Sequence, residues 1–330
     1  MAHAEATDLV IDPAQAGLRQ HHMKTSTIVF MIFCLCAAGA YGIEEMIPEA
    51  GPGLTILMLM VLPFFWSTPM GLVAAELGSA MPQEGGYYKW VQRACGEFWG
   101  FQAGWWRTIS IYFDSTIYVV LAGSYLASVA DLSVAEGYAV KAAIIVFFTY
   151  INLRGIPDVG MVSTVISILV MVAFAMVAFV GFTHWNSNPF VPFTPPNANI
   201  LESIGSAIAI GMWMYSGYES MSTVAGEISN PQVIPRATLI SVPLIMATYI
   251  LPTIGGLASI GQWESWATEG GISYSHVVTQ VAPAFGWFFI VVAVSAQLSI
   301  FNTYIASGSR GFFALAEDNL APKILVRCSE

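Results

Sequence analysis

The chain has 330 residues, 56% of them hydrophobic and only 10% charged, with a mean hydropathy of +0.67 and a formal net charge of −10. Soluble domains carry roughly 25% charged residues, so a water-soluble globular class is excluded, and the negative balance does not point to a basic partner such as nucleic acid. Repeated apolar runs of helical length, without the alternation of a β-barrel, predict an all-α polytopic membrane protein seated in a lipid bilayer.

The first 25 residues are polar, and no short apolar region ends in a small-residue cleavage site. Residues 1–25 are therefore expected to be an N-terminal arm, followed by a retained helix rather than a cleaved signal peptide. Windows of about 19 residues place spans at 26–47, 54–79, 96–130, 136–153, 159–183, 200–228, 236–260 and 283–316, eight in all. With the arm inside, the cytoplasmic segments hold Arg19, Lys24, Lys89, Arg93, Arg154, Arg236, Arg310, Lys323 and Arg327, nine of the eleven Lys and Arg residues. Only Lys141 falls near an outer loop, and Arg107 lies within the third span. That asymmetry predicts a multi-pass protein of the cell membrane with both ends cytoplasmic. The outer loop 184–199, rich in proline and asparagine, joins a block of five spans (26–183) to a block of three (200–316), and 317–330 follows as a cytoplasmic segment.

Cys34, Cys36, Cys95 and Cys328 show no C-x-x-C spacing and read as small buried hydrophobes. His3, His21, His22, His184 and His276 fall in the arm or in loops, and neither H-E-x-x-H nor G-x-S-x-G occurs. No metal site, cofactor or enzymatic activity is expected.

Two spans carry glycine at mid-depth: Gly39 and Gly42 in the first, Gly211 and Gly217 in the sixth. Unwound backbone survives in lipid only where it lines a protein cavity, and interrupted helices at matching positions of two halves point to a transporter's central site. Spans one and six occupy such positions if the repeat unit is five helices. The competing reading is that small residues let helices pack closely. The expected site comprises Gly39, Ala40, Tyr41, Gly42 and Glu44 from the first break, Asp114 from the third span, and Trp213, Tyr215, Ser216, Gly217 and Glu219 around the second break.

Carboxylates at bilayer depth must be paired, protonated or hydrated. Glu44 and Glu45 diverge by about 100° on a helix, so one is expected to face inward and the other the outer vestibule. Arg107 and Asp114 share a face but stand about 10 Å apart along it, which strains a direct pair. Glu219 has no base nearby in sequence and is expected to meet a cationic substrate or a proton. Glu45, Glu76 and Glu227 are assigned to coupling or gating, the last two through salt bridges with Lys89, Arg93 or Arg236.

Four segments, AELGSAMPQEGGYYKWV (75–91), INLRGI (151–156), STVAGEISNPQVIPRA (222–237) and SRGFFALAEDNLAPK (309–323), resemble in order and content the amino acid-polyamine-organocation superfamily of secondary transporters. AYGIEE, GFQAGWWRTISIYFDSTIYVVL and YSGYESMSTVAGE are most similar to its plant and protozoan polyamine-uptake branch, although Glu45 and Glu219 stand where that branch has Asp and Ala40 where it has Pro. Bacterial amino-acid permeases share many of the same segments. The resemblance implies a LeuT-type fold of two inverted five-helix repeats, of which the second is expected to lack its last two helices here. It also implies Glu44, Asp114 and Glu219 as acids facing a polycation, with Tyr41, Trp213, Tyr215 and Asn302 lining the same cavity. The implied function is alternating-access transport of polyamines or amino acids, coupled to a proton, or to sodium in its place. An amino-acid permease or exchanger is the nearest alternative, and a channel or membrane sensor a distant one.

Overall fold

The computed structural model describes residues 20–37, 42–267 and 272–326. The α-helices among the described residues are α1 (Thr25–Cys36), α2 (Ile43–Ala50), α3 (Pro52–Leu62), α4 (Thr68–Ala80), α5 (Tyr87–Cys95), α6 (Glu97–Val129), α7 (Val134–Arg154), α8 (Ile156–Thr183), α9 (Ile200–Met214), α10 (Val233–Ile260), α11 (Tyr274–Thr279) and α12 (Gly286–Glu317). Among the described residues there is no strand beyond two isolated bridges. Five stretches, Pro52–Ala80, Val134–Arg154, Ile156–Thr183, Val233–Ile260 and Pro283–Glu317, are long and apolar enough to cross a membrane.

α1 lies at the centre. Ile28, Ile32 and Phe33 have no exposed surface, and the helix contacts α8, α10 and α12. A helix buried all round needs no polar face, which is why TSTIVFMIFCLC shows none. α12 packs on α6 and α8, and α10 on α8, α4 and α1. α7 stays outside, with Val146, Phe147 and Tyr150 exposed. Such exposed apolar surface is what lipid covers.

The second span is one continuous helical stretch with a π-turn at Pro63–Ser67 between α3 and α4. The sixth is divided: α9 ends at Met214, and the chain resumes at Gly217 as a ten-residue 3₁₀ segment, Tyr218–Glu227. Runs of 3₁₀ beyond three or four residues are uncommon. Here the hydroxyls of Ser222 and Thr223 reinforce it by donating back to the Glu219 and Ser220 carbonyls, at 2.5 and 2.7 Å. The sequence predicts the interruption of this span but not the 3₁₀ winding beyond it.

Both ends of the bundle are tied across. At one end the loop after α8 lies over α3 and α10, with Leu54 N–H donating to the Phe193 carbonyl and Asn186 N–H to Ala258, both at 2.8 Å. At the other, His21 N–H donates to the Glu227 carbonyl at 2.8 Å and the Ser229 N–H returns to His21 at 3.0 Å. Cys34 and Cys36 are buried as expected, whereas Cys95 is exposed on α5 because its polar helix lies across that end of the bundle. Cys328 falls outside the described residues.

α8 and α10 approach backbone to backbone: a Cβ on Gly181 would stand 2.3 Å from the Gly255 carbonyl carbon. Gly181→Ala is therefore expected to cost about 1–3 kcal/mol through overpacking, read as a lower melting temperature in detergent. Gly205→Ala, with open space around it, is the control expected not to fall.

Candidate functional site

Gly42 and Gly217 hold left-handed backbone, φ 99° and 119°, where other residues are strained. Their positions interlock. A Cβ on Gly217 would lie 2.7 Å from the Leu35 carbonyl oxygen, and one on Gly42 would lie 3.2 Å from Met214 Sδ and Trp213 Cζ3. The residues that flank the break after α1 thus pack directly on those at the break after α9. Ala38, Gly39, Ala40 and Tyr41 lie outside the described residues, so the first-break expectations for Gly39, Ala40 and Tyr41 have no structural account. Gly211 is not part of the second break. It sits within α9, where a Cβ would meet Leu62 Cδ1 at 2.3 Å, and so serves close packing.

The carbonyls freed at the breaks find donors on neighbouring helices. The Tyr249 hydroxyl of α10 stands 3.0 Å from the Cys36 carbonyl and 2.9 Å from that of Met214. One side chain thereby ties the last turns of α1 and α9 together. The π-turn contributes too: Trp66 Nε1–H donates to Ser216 Oγ at 3.2 Å and Ser67 Oγ to the Tyr215 carbonyl at 3.4 Å. π-turns recur at functional sites. Sequence reasoning missed Tyr249, Trp66 and Ser67. A tyrosine in an otherwise apolar stretch was the available signal for the first.

Tyr215 departs from the expected cavity-lining role. It has no exposed surface, its hydroxyl donates to the Leu59 carbonyl at 2.9 Å, and its ring meets Tyr249 edge-on at 5.1 Å. Trp213 is displaced the other way: 55% exposed, it lies on the outer side of α9 with one edge on Gly42. Asn302 is fully buried and accepts from Asn152 Nδ2 at 3.0 Å, joining α12 to α7 rather than to the breaks. Its side chain is thus used in helix packing.

The acids separate by depth. Glu44 turns inward, accepting the Tyr274 N–H at the start of α11 at 2.7 Å, while Glu45 is exposed. Asp114 is half-buried on α6 beside Tyr304 of α12. Glu219, expected to lack a protein base, instead pairs with Arg107: one guanidinium nitrogen donates to Glu219 Oε1 at 2.9 Å and to Ser220 Oγ at 2.8 Å. The reason is tertiary, since α6 brings Arg107 to the 3₁₀ segment across 112 residues of chain. Both side chains keep partial exposure, 30% and 21%. Arg107 thus faces two carboxyl groups, Glu219 in direct contact and Asp114 further along α6.

Glu227 is also corrected in its partner. It pairs with Arg310 of α12, Nε to Oε1 at 2.6 Å, not with Lys89, Arg93 or Arg236. Lys89 goes instead to Asp318 at 2.7 Å, and the Tyr88 hydroxyl donates to the same carboxylate at 2.5 Å. Glu76 is exposed and takes no part in the ion pairs among the described residues. Sequence reasoning overlooked Glu84, in the turn between α4 and α5, which is buried with neither oxygen hydrogen-bonded. Its signal was a lone carboxylate before paired glycines, QEGG. No group of three or more His, Cys, Asp or Glu side chains among the described residues could hold a metal ion.

Comparison with known proteins gives a consistent family. The profile of the family described as amino acid permease matches residues 23–329. A probable polyamine transporter of Arabidopsis thaliana is 30% identical over 98% of this chain and 65% of its own length. A second polyamine transporter of that plant is 29% identical over 96% of this chain and 66% of its own. A serine/threonine exchanger of Bacillus subtilis is 28% identical over 76% of this chain and 58% of its own. The chain thus spans about two thirds of the length of the two plant relatives.

Tyr249→Phe keeps the ring packing and removes the hydroxyl shared by the two breaks. It is expected to lower stability by about 1–3 kcal/mol, the cost of a buried carbonyl left without its donor. Thermal unfolding in detergent checks this, and an unchanged melting temperature would remove the hydroxyl from its bridging role.

Proposed function

The chain belongs to the amino acid permease family, a family of multi-pass membrane proteins, and from that premise we propose that it is a secondary transporter of small amines. In this reading it works by alternating access, its cargo is a di- or polyamine, and a protonatable carboxylate couples uptake to an inward proton gradient. The observation that carries it is the packing of two interrupted helices on each other beside Asp114, Glu219 and Arg107. Two carboxyl groups against one guanidinium leave a carboxylate without a protein cation, and at bilayer depth such a group needs a partner, which a cationic amine supplies. The names of the plant relatives support the polyamine class.

The proposal includes a LeuT-type arrangement in which the spans through α8 form one five-helix repeat and α9 onward begins the second. The division of the first and sixth spans at equivalent places supports it. It also includes a cell-membrane location, with the end of the bundle bearing Lys89, Arg154 and Arg310 facing the cytoplasm.

A second reading, amino-acid exchange, draws on Arg107. A guanidinium beside the second break can hold a substrate carboxylate, and the Bacillus relative is named as a serine/threonine exchanger. The two readings divide on one assay. Reconstituted protein is offered labelled spermidine, putrescine, arginine and leucine under an inward proton gradient. For an amine importer, spermidine or putrescine accumulates, and Asp114→Asn and Glu219→Gln each reduce uptake at least roughly tenfold, about 1.4 kcal/mol of lost transition-state binding. Leucine uptake that is insensitive to both substitutions contradicts the amine reading.

A further inference from the structure

The inner end of the bundle contains a carboxylate that the central site does not use. Glu84 lies past the end of α4, 7% exposed, with both oxygens buried and unbonded. Its turn is locked onto the 3₁₀ segment. Gly85 N–H donates to the Thr223 carbonyl at 3.3 Å, and at Gly86 a Cβ would meet the Ser222 carbonyl carbon at 2.6 Å. The Glu84 carboxylate itself covers Gly226, where a Cβ would stand 2.6 Å from Oε1.

The 3₁₀ segment is held from its other side by α12. Thr223 Oγ1 donates to Ser307 Oγ at 3.0 Å, and Arg310 binds Glu227 at 2.6 Å. Three elements therefore meet at one joint, with Glu84 between them. The charged groups facing Glu84 are Glu227 from the 3₁₀ segment and Arg310 and Glu317 from α12. Lys89 and Tyr88 of the adjoining α5 are turned to Asp318. Arg310 is committed to Glu227, so a second ionised carboxylate here leaves negative charge buried without a matching cation. Burying a charge without a partner costs several kcal/mol.

We propose that Glu84 is a proton-binding site, occupied by a proton when the joint between the α4–α5 turn, the 3₁₀ segment and α12 is closed, and emptied to the cytoplasm when the joint opens. This rests on the transporter reading and identifies which carboxylate carries the coupling proton. The step is a simple proton transfer: the Glu84 carboxyl gives its proton to inner water and rebinds one before closure. Burial, with the Glu227 carboxylate beside it, raises the Glu84 carboxyl well above the ordinary carboxylate range; the Arg310 charge and the nearby Glu227 backbone, not in hydrogen-bond geometry, offset only part of this. The sign follows. A group whose pKa is raised in the closed form stabilises that form fully below its ordinary pKa and loses the contribution as pH rises through the raised value.

The test follows hydrogen exchange of the protein in lipid nanodiscs, corrected for intrinsic rates, in peptides covering residues 82–90 and 218–229, from about pH 5 to about pH 9. In the wild type, opening of these peptides rises as Glu84 ionises, by roughly tenfold per pH unit below its pKa. Glu84→Gln holds them at the acid-pH protection throughout, and Glu84→Asp restores the rise. A flat wild-type profile, or a rise that persists in Glu84→Gln, overturns the proposal. Should Glu84→Gln fail to fold, Gly226→Ala displaces the carboxylate and is expected to shift the rise by about one pH unit or more toward the ordinary carboxylate range; an unshifted rise counts against the site. In the uptake assay, the ratio of uptake with and without the proton gradient falls to about one in Glu84→Gln. Proportionate loss of both rates marks a structural role and overturns the assignment. If no amine or amino acid enters under any gradient, the transport reading fails, while the exchange profiles still decide on Glu84.

Discussion

A hydroxyl on α10 holds the centre of this molecule together. α1 and α9 end side by side, and the carbonyls of their last residues, the buried Cys36 and Met214, have no helical partner beyond them. In a bilayer such groups cost several kcal/mol apiece unless protein satisfies them. Tyr249 reaches the last carbonyls of both α1 and α9, so the two ends stop where one side chain can serve both. The other supports follow from this. Tyr215 packs against the Tyr249 ring and anchors to α3, and the π-turn at Pro63–Ser67 turns Trp66 and Ser67 toward Ser216 and Tyr215.

The ion pairs show where charge is tolerated. Arg107–Glu219 lies in partial contact with solvent near the breaks, whereas Arg310–Glu227 and Lys89–Asp318 are more enclosed, at the end of the bundle where α12 finishes. Two of the three involve the 3₁₀ segment, and Arg310 of α12 and Asp318 just past its end bind partners on separate elements. Electrostatics therefore ties the short second half of the sixth span to a long, rigid neighbour. Exposed pairs elsewhere, such as Arg154 with Asp158 one turn along, contribute far less.

Much of the fold was legible in the sequence, and the reason is local. Apolar runs of helical length, polar links between them and glycine at mid-span are properties of contiguous residues, so the helices and the divisions near Gly42 and Gly217 could be read directly. Partners across the fold could not. Nothing near Glu219 in sequence announces Arg107, and nothing near Glu227 announces Arg310, because both depend on how α6 and α12 cross the 3₁₀ segment. Aromatic residues misled for the same reason: Tyr215 and Trp213 flank the break equally in sequence, yet one is wholly enclosed and the other turned outward. Gly211 and Gly217 also look alike as letters, and only the neighbour each faces separates a packing glycine from a hinge-like one. Asn302 was expected near the breaks, but its amide partner is Asn152 on the peripheral α7.

The winding of Tyr218–Glu227 has a mechanical consequence. A 3₁₀ helix rises about 2.0 Å per residue against about 1.5 Å in an α-helix, so these ten residues reach about 20 Å where α-winding would give about 15 Å. The chain thereby covers the distance from the second break to Arg310 with three or so fewer residues than an ordinary helix needs. The segment is a stretched connector: tightening it to α-pitch would draw Glu227 about 5 Å back along the axis, a full helical turn, without moving the hydroxyl clamp at its start.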